Sequence, residues 1–176
     1  MEKKLVEIKA AYDNLDKARA VLEKLEAKFL GSFKQVDTYF NVKRGRLKLR
    51  EVEGARAAQL IYYQRQNLKG PKESDVVIVE TPDANEMKDI MDAVFGIKVV
   101  VEKRRDVYIY KGVRIHLDEV RDLGTFVEFE KETTSEDIER DRKLLRDLMR
   151  ALGIVEEDLI RESYSDLLLE RSASPG

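Results

Sequence analysis

The chain has 176 residues, 39% charged and 43% hydrophobic, with 33 basic against 35 acidic side chains and a net charge of −2. That length suits one domain with a real core, and the near balance of sign means that any anion-binding surface must be local, which argues against nucleic acid as a partner. Cysteine is absent, which excludes disulfides, thiolate nucleophiles and zinc–cysteine centres. No apolar run has the length of a membrane span and the start does not read as a signal peptide, so a cytoplasmic protein without membrane contact is expected.

Taken in order, Leu5–Ala11 alternates as a strand, with Leu5, Glu7 and Lys9 on one face and Val6 and Ile8 on the other. Asp13 or Asn14 then caps a predicted helix with its apolar stripe at Leu15, Ala18, Leu22, Leu25 and Phe29, stopped by Gly31. Gln35–Val42 has strand composition, and a turn at Lys43–Gly45 leads into Arg46–Glu51. There Arg46, Lys48 and Arg50 share one face while Leu47 and Leu49 share the other. Cations lined up on one strand face repel unless something anionic lies between them. Ala57–Gln66 is a further strand that puts Tyr63 and Arg65 together, and Asn67–Asp75 reads as a mobile loop around Gly70 and Pro71.

Val76–Glu80 reads as a buried strand. Pro82 opens a second helix with Met87, Ile90, Met91 and Val94 inward and Gly96 at its end. Val99–Tyr110 is a long strand carrying Lys103 and Arg105 on one face. The next stretch, Arg114–Glu130, reads as a hairpin turning at Arg121–Gly124. Arg114, His116 and Asp118 lie on one side of its first arm, Glu128 and Glu130 on one side of its second, with apolar residues opposite. Thr134 or Ser135 caps a third helix with a stripe at Ile138, Leu145, Leu148, Met149 and Leu152. A short last helix follows, and residues 171–176 read as a disordered tail after a single domain over residues 1–170.

Most of the strands share one pattern, apolar side chains alternating with ionic ones. The cations are Lys9, Arg46, Lys48, Arg50, Arg65, Lys103, Arg105 and Arg114; the anions are Glu7, Asp118, Glu128 and Glu130. Helices covering the apolar faces leave the ionic faces either in water or inside a closed barrel, whose lumen can be polar. A lumen lined with lysine and arginine suits a polyphosphate, with Mg²⁺ or Mn²⁺ on carboxylates at one end. Alternation alone leaves wet sheet and tunnel both open.

The segments VEIK, DTYF with GRLKLRE, LIYYQR, the KRR strand, RIHLDEV with LGTFVEFE, and EEDLIRESYSDLL together resemble the CYTH superfamily, the triphosphate tunnel enzymes, in the expected order over nearly the whole chain. They are most similar to the class IV adenylyl cyclase-like branch rather than the thiamine triphosphatase branch. The resemblance implies an α+β fold, a closed antiparallel eight-stranded β-barrel with flanking helices, dependent on Mg²⁺ or Mn²⁺ and acting on a triphosphorylated small molecule such as ATP or tripolyphosphate. By position it implies Glu7, Glu128 and Glu130 as metal ligands, and Lys9, Arg46, Lys48, Arg50, Lys103, Arg105 and Arg114 as phosphate ligands, to which strand alternation adds Arg65. Lys9, Arg105 and Asp118 are the expected catalytic set, with Asp118 at the metal end or orienting a cation. One departure stands out: the family signature Glu-x-Glu-x-Lys has Leu5 in place of its first glutamate. The resemblance makes cyclisation of ATP to cyclic AMP and pyrophosphate the expected activity. Hydrolysis of inorganic triphosphate, thiamine triphosphate or a nucleoside triphosphate is the alternative, and a non-catalytic polyphosphate- or nucleotide-binding module is the second; a homodimer remains open. Tyr39, Phe40, Tyr62 and Tyr63 are candidates to stack on adenine, although strand aromatics more often pack.

Overall fold

The computed structural model describes residues 2–66 and 68–174 (of Glu2, the backbone alone). Eight strands, β1 (Glu2–Ala11), β2 (Lys28–Phe40), β3 (Arg46–Val52), β4 (Ala58–Arg65), β5 (Lys72–Thr81), β6 (Ile97–Tyr110), β7 (Val113–Val120) and β8 (Gly124–Glu132), close an antiparallel barrel in the order β1-β5-β4-β3-β2-β6-β7-β8. Closure removes every free edge, so each strand offers one face to the lumen and one to the outside.

The largest apolar cluster lies outside the barrel. Val6 and Ile8 of β1, Val113, Ile115 and Leu117 of β7, and Val127 and Phe129 of β8 form one outer patch. Two helices cover it, α1 (Leu15–Lys24) with Ala18 and Leu22, and α3 (Ile138–Ala151) with Leu145 and Leu148. This is the partition that strict strand alternation predicts. The fourth helix, α4 (Tyr164–Ala173), works on the inner side. Its Tyr164 packs with Leu5, Tyr39, Tyr63, Val101, Val120 and Phe126. Ser163 caps it, accepting from Asp166 N while the Asp166 carboxylate accepts from Ser163 N.

Five expectations are corrected. The first helix stops at Lys24, and Phe29, expected in its stripe, is an exposed residue of β2. Pairing of β2 along β6, from Lys28↔Ile109 onward, outweighs a periodicity that continued by coincidence. The expected mobile loop is strand from Lys72 on, since Lys72–Asp75 pairs with β1, and Ser74 and Asp75 also with β4; Asn67 lies outside the described residues. Of β5, Val76 is buried whereas Val77 and Val79 are exposed on the outer face. The second helix, α2 (Ala84–Phe95), touches β2 and β3, packing Met87 and Met91 near Phe40 and Leu49. Ile90 and Val94, expected inward, are 55% and 65% exposed. The tail from Arg171 is helical to Ala173, and Pro175 and Gly176 lie outside the described residues.

Candidate functional site

The lumen holds a cavity of about 120 Å³. Lys9 (β1), Lys48 and Arg50 (β3), Arg65 (β4), and Lys103 and Arg105 (β6) line it, with the carboxylates of Glu7 (β1) and of Glu128 and Glu130 (β8). Two expected phosphate ligands lie elsewhere. Arg46, at the start of β3, is outside this lining and pairs with Asp166 of α4 at 2.6 Å. Arg114, near the start of β7, is exposed. Alternation reports which face a side chain takes but not its height along the barrel.

Two buried carboxylates behind the lining hold the cations in place. Asp37 of β2, 0% exposed, accepts from Arg50 Nε and Nη2 at 2.8 Å each, from Lys103 Nζ at 2.9 Å and from Lys48 Nζ at 3.1 Å. Burial alone raises a carboxyl group's pKa, but Arg50, Lys103 and Lys48 outweigh it and hold Asp37 well below the usual range. Lys103 is driven well below an ordinary lysine, first by burial and then by Arg105, Arg50 and Lys48, with Asp37 opposing. The sequence reading missed Asp37. Its signal was an acidic residue inside the strand-like run QVDTYF, where aspartate is disfavoured. Asp118, also 0% exposed, accepts both Arg105 Nε and Nη2 at 2.7 Å and the Tyr164 hydroxyl at 2.6 Å. Of its two expected roles, the geometry is that of orienting a cation.

The acidic side is organised differently. Glu128 accepts from His116 Nδ1 at 3.0 Å and lies 3.6 Å from both Lys9 Nζ and Arg105 Nη2. Against the upward push of burial, these neighbours hold it well below the usual carboxylate range. Glu7 goes the other way: burial and then the charge on Glu128 raise it, although Arg65 Nη1 donates to it at 3.0 Å. Burial lowers Lys9 to about 8, with Glu128 opposing. Glu130 has neither a hydrogen bond nor an ion pair among the described residues, and Arg65 Nε is buried without an acceptor. One ligand atom from each of His116, Glu128 and Glu130 lies within 4.8 Å of the others, a donor set that fits a divalent cation.

Aromatic faces in the lumen are covered. Lys9 Nζ sits 3.9 Å above the Tyr164 ring, and Lys48 Nζ lies 5.4 Å and 5.3 Å from the rings of Tyr39 and Tyr63. Of the other expected stacking residues, Phe40 is buried in the core beneath α2 and Tyr62 pairs with Gln64 through its hydroxyl. The segment leading into α4 is tied to the barrel by the strand-like bridge Ala10↔Leu159 and by Lys72, 0% exposed, which donates to the carbonyls of Ile160 and Arg161 at 3.2 and 3.1 Å.

A closed barrel whose lumen gathers cations from β1, β3, β4 and β6 beside carboxylates from β1 and β8 defines a triphosphate-tunnel architecture. The CYTH domain profile matches residues 3–164, and the chain belongs to that family. A curated protein of Methanocaldococcus jannaschii named a putative adenylate cyclase is 31% identical over 175 residues, covering 92% of this chain and 97% of its own. The solved PH1012 protein of Pyrococcus horikoshii superposes with a TM-score of 0.79 at 28% identity, over 95% of this chain and 99% of that one. A putative adenylate cyclase of Vibrio parahaemolyticus shares the fold at a TM-score of 0.82 and 18% identity, over 95% and 98% of the two chains. Among the described residues no helix is long and apolar enough to cross a membrane.

Proposed function

We propose that the lumen is the active site of a divalent-metal-dependent enzyme that cleaves a triphosphate chain between its phosphates. One observation carries this reading: the site lacks one partner of each sign. Among the described residues Arg65 Nε is a buried donor with no acceptor, and Glu130 is a lumen carboxylate with no cation. A phosphate chain bound together with a divalent cation supplies both at once.

In this reading Lys9, Lys48, Arg50, Arg65, Lys103 and Arg105 bind the non-bridging oxygens. Asp37 and Asp118 fix the cations beforehand, so that little reorganisation is left for the reaction itself. Arg105, clamped through two nitrogens by Asp118, presents its guanidinium in one orientation toward Glu128 and the cavity. Lys9 Nζ, lowered to about 8, holds a proton that it can pass to a leaving phosphate near neutral pH. Tyr164 covers that end of the lumen against water. Glu128 and Glu130, with Glu7 beside them, would hold the cation, which would supply charge neutralisation on the phosphate oxygens.

Hydrolysis of the triphosphate chain fits this geometry best, because a cavity of about 120 Å³ is well below what a drug-sized ligand fills and lysines already sit against the rings of Tyr164, Tyr39 and Tyr63. The second reading is cyclisation of ATP with release of pyrophosphate. The Methanocaldococcus protein's name supports it, as does the fact that the same cations serve either reaction. Incubation with tripolyphosphate or ATP and Mg²⁺ or Mn²⁺, with chromatography of the products, tests both. Pyrophosphate plus phosphate from tripolyphosphate is the expected result; cyclic AMP from ATP selects the second reading; no product from either substrate overturns both.

A further inference from the structure

We propose that His116 is a metal ligand, so that the cation sits on one imidazole nitrogen and on Glu128 and Glu130, and the protein selects Mn²⁺ over Mg²⁺. This rests on the proposed function, since the phosphate chain is what completes the cation's shell.

The alternative ligand, Glu7, already has a cation, because Arg65 Nη1 donates to it at 3.0 Å. His116 lies on β7 directly opposite Glu128 in the β7–β8 register, and Arg114 lies opposite Glu130. The histidine is therefore the inner-face residue of β7 placed to face the acidic pair, and it is buried. Ligand atoms at right angles around a six-coordinate ion with bonds of about 2.1 Å are about 3.0 Å apart. His116 Nδ1 and Glu128 Oε1 already stand 3.0 Å apart. A cation that replaces their hydrogen bond therefore needs little movement of either side chain, and Glu130 closes the remaining gap. The ring ligates through Nδ1 when its proton is on Nε2. Lys9 and Arg105 face the same carboxylate, and their charge weakens binding of the ion alone. Tripolyphosphate offsets that charge.

An imidazole in the shell shifts preference away from Mg²⁺, which favours an all-oxygen shell, and toward transition metals. The test uses the wild-type protein with Mn²⁺ and tripolyphosphate, which contains no nitrogen. Pulsed electron paramagnetic resonance is expected to show a directly bound ¹⁴N on the Mn²⁺. The signal is expected to vanish in His116→Gln, and the ratio of Mn²⁺ to Mg²⁺ affinity, measured by competition, to fall about tenfold. Bound Mn²⁺ without ¹⁴N coupling, its affinity lost in Glu130→Gln, overturns the role of His116 and leaves the proposed function standing. Failure of Mn²⁺ to bind even with tripolyphosphate overturns both.

Discussion

Asp37 and Glu130 are both carboxylates on the inner face of one barrel, and they have opposite surroundings. Asp37 is fully buried among Arg50, Lys103 and Lys48, with both oxygens occupied. Glu130 lines the cavity and has no partner among the described residues. A buried ion cluster that is already complete has nothing left to offer a ligand, and breaking it leaves several charges stranded. An incomplete one contributes little to stability and is where a ligand gains most. The β2–β3–β6 arc therefore fixes the cations in place, and the β1–β7–β8 arc is where the proposed metal ion would bind.

The largest expected effect is on the complete cluster. Asp37→Ala strands Lys48, Arg50 and Lys103 together in the lumen and should cost about 3–5 kcal/mol, the loss typical of one partner removed from a buried pair. For a chain of this size that is a fall of about 10 °C or more in thermal midpoint, read by calorimetry. A shift of only a degree or two would mean that the three cations find other partners, and the contrast with Glu130 would collapse. Glu130→Gln is the counterpart. Its thermal midpoint is expected to stay within about 2 °C of wild type, as for a substitution that breaks no contact. Turnover of tripolyphosphate should fall about 100-fold with loss of the cation. Full activity in this variant would place the metal elsewhere.

This contrast also marks what the sequence makes legible. Alternation in RLKLRE separates Lys48 and Arg50 from Leu47 and Leu49 correctly, because the pleat allows no other arrangement. It cannot separate Lys48 from Arg46, since both lie on one face and only the barrel's length decides which meets the cavity. Asp37 belongs to β2, and the cations it gathers come from β3 and β6, so its role depends on strand pairings that are not local. Lys72 was read as part of a loop between Gly70 and Asp75. It becomes a buried donor because β1 and the Leu159–Arg161 segment close over it. The helices covering β1, β7 and β8 were legible because their stripes are long. The α2 stripe misled, since two strands beneath a helix half-bury two methionines and leave Ile90 and Val94 in water.

A middle-sized effect comes from pH. Lys9 is lowered to about 8 by burial, from an unfolded value of 10.5. Between those values the unfolded chain holds a proton that the folded one has released, so Lys9 contributes stability that grows as pH rises through that window. Lys72, also near 8, acts in the same direction. Phosphate binding needs the ammonium, so tripolyphosphate affinity should fall above pH 8, by up to about tenfold per pH unit. Calorimetric titration at pH 7 and pH 9, beside thermal melts, is expected to show affinity falling while the fold does not weaken. In Lys9→Arg the fall in affinity over that range should be less steep than in the wild type. Affinity of the wild type that is equal at the two values would remove Lys9 from the phosphate site.

The smallest effect concerns Arg46, which the alternation of β3 groups with the phosphate ligands but which pairs with Asp166 of α4. Both side chains are partly exposed, at 23% and 28%, so solvent screening keeps the pair to about 0.5–1 kcal/mol. Arg46→Gln removes that attachment and leaves the Ser163–Asp166 cap intact, since Asp166 still accepts from Ser163 N. The thermal midpoint should drop by about 1–4 °C. Tripolyphosphate affinity should stay within about twofold of wild type, because Arg46 is outside the cavity lining. Arg50→Gln, in the same strand and on the same face, takes a charge from both the cavity and Asp37, and its affinity should fall by tenfold or more. If Arg46→Gln weakens tripolyphosphate as strongly as Arg50→Gln does, the phosphate chain must draw Arg46 away from Asp166. Helix α4 would then loosen whenever substrate is bound, and the complete arc would extend one residue further than this geometry shows.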